Sequence, residues 1–264
     1  MFEKCFNRLY DFYDFPHFVP REEKEYNAEY AKMIREGDWI NRIWNKRKND
    51  AVKNEMVFGE EVRRIMAYDD PLILDICSGP GGGFMPAVLL LGDYNAHVMI
   101  SDLCPTVPRE WQNFFKAQDN PPPNVEYAAF DVYDFPFADN SLDIITGYSA
   151  IINIEGGMGD EQVKALREIH RVLKKGGLFV MADQYVAKEY LESLEPDLQK
   201  AFLDRDPSIF TDFQDELAVL GYTSIETVDR GTWSNKDDDS GLADFTRKLG
   251  TELVFTEYTK YCVK

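Results

Sequence analysis

The segment Ile73-Leu74-Asp75-Ile76-Cys77-Ser78-Gly79-Pro80-Gly81-Gly82-Gly83-Phe84 constrains this chain more than any other, because an apolar run passes directly into a glycine-rich turn. Leu72, Ile73, Leu74 and Ile76 read as a short strand covered on both faces, as in a parallel sheet. Gly79, Gly81, Gly82 and Gly83 then let the backbone approach a ligand closely at the carboxyl end of that strand. In doubly wound α/β folds this is where nucleotide-like ligands bind. Asp75 narrows the choice, since a carboxylate just before the turn repels a phosphate and suits a cation or an amine.

A second acid sharpens the reading. The apolar run Val98-Met99-Ile100 ends at Ser101-Asp102, and Asp102 lies 19 residues beyond Gly83. An acid about 20 residues past a glycine turn accepts hydrogen bonds from ribose hydroxyls in dinucleotide folds. A positively charged nucleoside fits both acids. NAD(P) fits less well, because a Gly-x-Gly-x-x-Gly match begun at Gly79 finds Gly81 but meets Phe84 at the third glycine.

On these residues the chain resembles the class I S-adenosylmethionine-dependent methyltransferases, roughly from Pro71 to Val186. Asp75-Ile76-Cys77-Ser78-Gly79-Pro80-Gly81 is similar to the family's first motif, with Cys77 where the commonest version has its first glycine. Asp102 matches the acid ending the second strand, and Asp131-Val132, after the strand Val125 to Phe130, resembles the adenine-contacting pair. The run Phe135 to Asp143 leads into a fourth strand, and Glu168 to Gly177 followed by Leu178-Phe179-Val180-Met181 resembles the helix and fifth strand of the type-11 subgroup. The resemblance implies S-adenosyl-L-methionine as cofactor, held by Asp75, Cys77, Ser78, Gly79, Gly81, Asp102, Leu103, Asp131, Val132 and Tyr148. It also implies an α/β fold: a Rossmann-like, doubly wound sheet of seven strands closed by an antiparallel C-terminal hairpin.

Strands are expected near residues 72–77, 97–101, 125–130, 142–148 and 178–183. A helix capped by Asp160 is expected to end at Gly176, with Val163, Leu166, Ile169 and Leu173 facing inward. A helical insertion at about 186–210, a helix near 212–220 and alternating segments at 224–233 and 252–263 complete a methyltransferase domain over 71–264, with a polar loop at 235–241. Residues 1–70 read as a helical extension. Phe2, Phe6, Tyr10 and Tyr13 recur every three or four positions, as do Tyr26, Tyr30 and Met33, and Asp38 can cap a segment bearing Trp39, Ile40, Ile43 and Trp44. Seven aromatics in the first 18 residues suggest a lid that helps line an acceptor site.

With 47 acidic and 29 basic residues the net charge is −18, which disfavours nucleic acid and anionic membranes as partners. The local run Lys46-Arg47-Lys48 is read as a solvated helix face. Cys5, Cys77, Cys104 and Cys262 show no metal or redox spacing, so no metal is expected and the thiols suit a reducing cytoplasm. Glu3 and Asp11 argue against a signal peptide, and the longest apolar run, Ala87 to Leu91, is too short for a membrane span. A soluble cytoplasmic protein is expected; its oligomeric state is left open.

Methyl transfer from a sulfonium mainly requires positioning and water exclusion, so a dedicated base is optional and no catalytic residue is assigned. His170 and His97 sit at scaffold positions, and His17 is the one histidine on the expected lid. Asn153 and Glu155 either face the acceptor or cap the next turn. The stretch after the fourth strand lacks Asn/Asp-Pro-Pro-Tyr, which disfavours amino methylation of bases or glutamine. The expected activity is therefore methyl transfer to a small-molecule acceptor. Other S-adenosylmethionine chemistry on the same fold, or a non-catalytic cofactor-binding regulator, are the competing readings.

Overall fold

A computed structural model describes every residue except 20–24, 93–95, 155–159, 206 and 238–240. A short turn of 3-10 helix, Phe2–Cys5, leads into the two-residue strands β1 (Asp11–Phe12) and β2 (Pro16–His17). Helices α1 (Glu25–Glu36), α2 (Trp39–Asn49) and α3 (Ala51–Ile65) follow. The alternating core comprises β3 (Leu72–Ile76), α4 (Phe84–Leu91), β4 (His97–Asp102), α5 (Thr106–Lys116), β5 (Val125–Ala129), β6 (Leu142–Tyr148), α6 (Asp160–Val172) and β7 (Leu173–Val186). Helices α7 (Lys188–Ser193), α8 (Pro196–Arg205) and α9 (Gln214–Leu220) precede the hairpin of β8 (Ser224–Ser234) and β9 (Val254–Val263), which brackets α10 (Gly241–Lys248).

The strands form one sheet in the order β1-β2-β5-β4-β3-β6-β7-β9-β8. Strands β5, β4, β3, β6 and β7 run parallel, and β9 pairs antiparallel with both β7 and β8. Chain order reverses at β3, with β4 on one side and β6 on the other, so the carboxyl end of β3 opens a crevice. Alternation along each strand divides the core. Leu74, Ile76, Met99, Ile145 and Phe179 pack with Leu166 and Ile169 of α6, whereas Ile73, Val98, Ile100, Ile144 and Val180 pack with α1 to α5 through residues such as Ile34, Trp44, Val62, Val88 and Trp111. Both faces of the central parallel strands are thus covered, which is why β3, β4, β6 and β7 each carry an apolar run. A smaller cluster, including Val186, Leu191, Phe202 and Phe255, seats the insertion.

Among the described residues nine strands rather than seven make up the sheet, and the additional two come from the N-terminal region. The expected helix over the first residues is absent. His17 pairs with Ala129, and the Phe18 N–H donates to the Ala129 carbonyl at 2.8 Å, so the free edge of β5 captures the segment. Phe6 lies between Phe137 and Phe18, with centroids 5.1 and 5.0 Å away, while Phe2 and Phe15 are buried. The three-to-four spacing of these aromatics reflects wrapping around the Phe135–Phe137 loop rather than a helical stripe. Helices α1 to α3 do form as expected, although Asp38 accepts a bond from the Asn41 side chain instead of capping the backbone. The side chain of Tyr26 lies outside the described residues.

Helix α6 stops at Val172, not Gly176. Leu173 already pairs with Leu142, and a register shift follows between Leu142 and Ile144. Gly176 takes φ +76° in this irregular stretch, and a Cβ on Gly177 would lie 2.9 Å from the Asp143 and Lys174 carbonyl oxygens. The glycines therefore serve a bulge rather than a helix terminus. The expected insertion is two helices, interrupted between Ser193 and Pro196.

Deleting residues 1–18 strips two buried phenylalanines and re-exposes the β5 edge. Urea denaturation should show a loss of at least about 4 kcal/mol, the scale of truncating one buried phenylalanine or more. An unchanged midpoint would contradict this account of the N-terminus.

Candidate functional site

A cavity of about 600 Å³ opens where the carboxyl ends of β3, β4, β5 and β6 converge. Asp75 and Asp102 enter it from the ends of β3 and β4, and Asp131 from just beyond β5. Cys77, Ser78, Gly79, Leu103, Val132 and Tyr148 also line it. Of the ten residues singled out from sequence, Gly81 does not. It has φ +94° and packs against the buried Trp111, whose ring lies 2.5 Å from where a Cβ would stand. Gly81 therefore shapes the turn from behind.

The acids and the turn hold each other in place. The Gly79 N–H donates to Asp102 Oδ2 at 3.2 Å, and the Cys104 N–H donates to Oδ1 at 3.0 Å. The Ser78 N–H donates to the Ser101 carbonyl at 2.9 Å, and the Ser101 hydroxyl to the Asp75 carbonyl at 2.7 Å. Asp75, only 5% exposed, accepts a 2.6 Å bond from the Thr146 hydroxyl. Burial pushes the carboxyls of Asp75 and Asp102 up to about 6, partly opposed by these hydrogen bonds. Asp131 Oδ1 accepts from the Tyr133 N–H at 2.9 Å. The Trp111 indole donates to the Gly79 carbonyl at 2.9 Å and fixes the far side of the turn.

Cys77 has φ +48°, in the left-handed region that favours glycine. That backbone demand accounts for the family's usual glycine here, and a small side chain carries it at modest cost. Burial pushes the Cys77 thiol well up, so it stays neutral.

Several cavity residues carried no functional signal in the sequence. Tyr30 of α1 belongs to an amphipathic stripe, yet its hydroxyl lies 3.1 Å from where a Cβ on Gly79 would stand, across the glycine turn. Periodicity shows that such a residue faces inward but not that it faces a cavity. Tyr133, Ser149 and Ile154 are in the same position. Asn153 lines the cavity, and its amide donates back to the Ser149 carbonyl at 2.7 Å. Glu155 lies outside the described residues.

The run Lys46-Arg47-Lys48 is not simply a solvated face. Lys46 and Lys48 are exposed, but Arg47 lies over the Phe58 ring at 4.4 Å and donates to the Gly82 carbonyl, bracing the glycine turn. None of the three histidines lines the cavity. His17 is buried with its ring stacked on Phe15 at 4.5 Å, His97 sits at the amino end of β4 with Nε2 3.4 Å from Asp70, and His170 packs against Tyr222.

Three aspartates thus share a cavity whose lining, among the described residues, includes no lysine, arginine or histidine. Such a lining repels phosphates, favours an amine, and offers acceptors to a sugar diol, while Leu103, Val132 and Ile154 supply apolar surface. This donor set fits S-adenosylmethionine. Residues 74–181 match the family model described as a methyltransferase domain. In its fold and in this match the chain is similar to the class I S-adenosylmethionine-dependent methyltransferases.

Solved structures carry the same fold. The YcgJ protein of Bacillus subtilis superposes with a TM-score of 0.51 at 20% identity, covering 78% of this chain and 97% of that one. An arsenic(III) S-adenosylmethionine methyltransferase from Chlamydomonas reinhardtii gives 0.52 at 19% identity over 74% and 64% of the respective chains. Phosphoethanolamine N-methyltransferase 2 of Haemonchus contortus, in complex with S-adenosyl-L-methionine, gives 0.52 at 16% over 77% and 51%.

The two neighbouring glycines should respond differently to alanine. Gly81→Ala combines positive φ with the Trp111 clash and should cost more than about 1 kcal/mol in urea unfolding. Gly82→Ala, with no atom within 4 Å of the added carbon, should stay within about 0.5 kcal/mol of wild type. Equal effects would show that the turn is not held as described.

Proposed function

We propose that the protein transfers the methyl group of S-adenosylmethionine to a small-molecule acceptor, with the cofactor in the three-aspartate cavity. The observation that carries this reading is the convergence of Asp75, Asp102 and Asp131, with no basic side chain among the described lining residues, at the switch point of the sheet. Asp102 would accept hydrogen bonds from the ribose hydroxyls, Leu103 and the Asp131-Val132 pair would flank the adenine, and Asp75 with the Cys77–Gly79 turn would face the amino-acid end. The bound cofactor supplies a methyl group on a sulfonium, already activated toward displacement. The task left to the chain is to align the acceptor and keep water out.

Charge supports a small acceptor. A net charge of −18 opposes a polyphosphate substrate. The acceptors named for the Chlamydomonas and Haemonchus proteins are small as well. We take residues 1–70 as an extension of a methyltransferase domain spanning 71–264, with an insertion at about 186–210. Within the extension the lid role passes from residues 1–19, none of which lines the cavity, to α1 through Tyr30. Among the described residues no helix is long and apolar enough to cross a membrane.

The direct test is to incubate the protein with methyl-labelled S-adenosylmethionine and metabolite extracts, then identify the labelled product by mass spectrometry. Label in a low-molecular-weight compound is expected. Label confined to protein or nucleic acid would refute the small-molecule reading.

Titration calorimetry tests the site itself. Hydrogen bonds to a charged group contribute about 1.5–3 kcal/mol, so Asp102→Ala should weaken cofactor binding by roughly ten- to a hundredfold while leaving the fold intact. Wild-type affinity in the folded variant would remove Asp102 from the ribose.

Acidity offers a second check. The Asp75 and Asp102 carboxyls titrate near 6 in the folded chain, above the ordinary carboxylate range, so they bind extra protons in the folded state and cost stability as pH rises through about 6. A cationic ligand favours their ionised forms. Binding at pH 6 should therefore release protons, and affinity should fall as pH drops below about 6. Proton uptake on binding would contradict the assignment.

A further inference from the structure

A second cavity, of about 460 Å³, shares Tyr148 and Ser149 with the first and is otherwise walled by α3, the start of α4, and strands β7, β8 and β9. Phe58, Phe84 and Tyr148 pack edge to face at 5.8–6.0 Å along its apolar side. Among the described residues, Glu61, Asp183, Asp229 and Glu257 line the remainder against one cation, Arg230.

One buried polar atom in this lining lacks a hydrogen-bond partner among the described residues. Glu61 is 1% exposed; its Oε1 accepts from Arg230 and from the Thr259 hydroxyl at 3.2 Å, but Oε2 has no partner within hydrogen-bond distance. Leaving such an atom unmet is unfavourable, and an ionised carboxylate oxygen can be satisfied only by a donor. Asp183, 4% exposed, accepts from the Ile152 and Gln184 N–H groups at 3.0 and 3.1 Å; burial pushes its carboxyl up to about 7, and a neighbouring cation favours its ionised form. A donor carrying positive charge answers both demands, and an ammonium group is the simplest one.

We propose that this second cavity holds the methyl acceptor, and that the acceptor is a small organic cation whose ammonium group donates to Glu61 Oε2. This rests on the methyltransferase reading above and specifies its substrate class. Tyr148 and Ser149 border both cavities. At this junction a lone pair on an acceptor atom other than the ammonium nitrogen would attack the sulfonium methyl, the C–S bond pair leaving with sulfur, while the ammonium stays on Glu61 and the apolar part of the acceptor lies against Phe58 and Phe84.

The test uses benzylammonium chloride and sodium benzoate, titrated separately into full-length protein saturated with S-adenosylhomocysteine. Benzylammonium should bind saturably and at least about tenfold more tightly than benzoate. Glu61→Gln and Glu257→Lys should each weaken it by about fivefold or more while leaving S-adenosylhomocysteine affinity unchanged. Glu257 is exposed, so its variant carries the test should Glu61→Gln fail to fold. Asp197→Asn, on the exposed surface of α8, removes one negative charge just as Glu61→Gln does and should have no effect. Equal binding of the two probes, no binding of benzylammonium, or an equal loss in Asp197→Asn would overturn the proposal while the cofactor site stands. Failure of S-adenosylhomocysteine itself to bind would overturn the cofactor reading, and the acceptor role with it.

Discussion

The bond from the Gly79 N–H to Asp102 joins the turn after β3 to the end of β4, and much of the site depends on it. A glycine-rich turn is entropically costly to fix, and here a carboxylate, the Ser78–Ser101 backbone bond and the Trp111 indole fix it from three sides. Burial pushes the carboxyls of Asp75 and Asp102 up to about 6, so the cavity holds its negative charge at a cost. A cationic ligand relieves that cost, which links the fold's local strain to its ligand preference.

The parallel core was legible because burial on both faces demands apolar runs, and Ile73–Ile76, Val98–Ile100 and Leu178–Met181 supply them. Asp75, Asp102 and Asp131 were legible for the opposite reason, since each interrupts or ends an apolar strand where packing alone would not place a charge. Spacing did not distinguish a glycine that lines a cavity from one that backs it. Gly81 owes its place to the Trp111 ring, a contact 30 residues away in sequence that no local pattern encodes.

The N-terminal region failed for a related physical reason. Aromatics every three or four positions suit a helix, but a free edge at β5 offers unpaired backbone groups, and pairing there overrode the periodicity. Gly176 likewise looked like a helix terminus, yet the early pairing of Leu173 with Leu142 drew it into a strand. Tyr30 and Arg47 lay on recognisable helices, and only the tertiary arrangement turned one toward the cavity and the other onto the Gly82 carbonyl.

The central claim is that Asp102 and its neighbours hold the nucleoside of S-adenosylmethionine at the switch point of the sheet. A crystal structure of the complex with S-adenosylhomocysteine tests it most directly. The account predicts both ribose hydroxyls within hydrogen-bonding distance of the Asp102 carboxylate and the adenine between Leu103 and Val132. A ligand bound elsewhere, or a ribose turned away from Asp102, would contradict it.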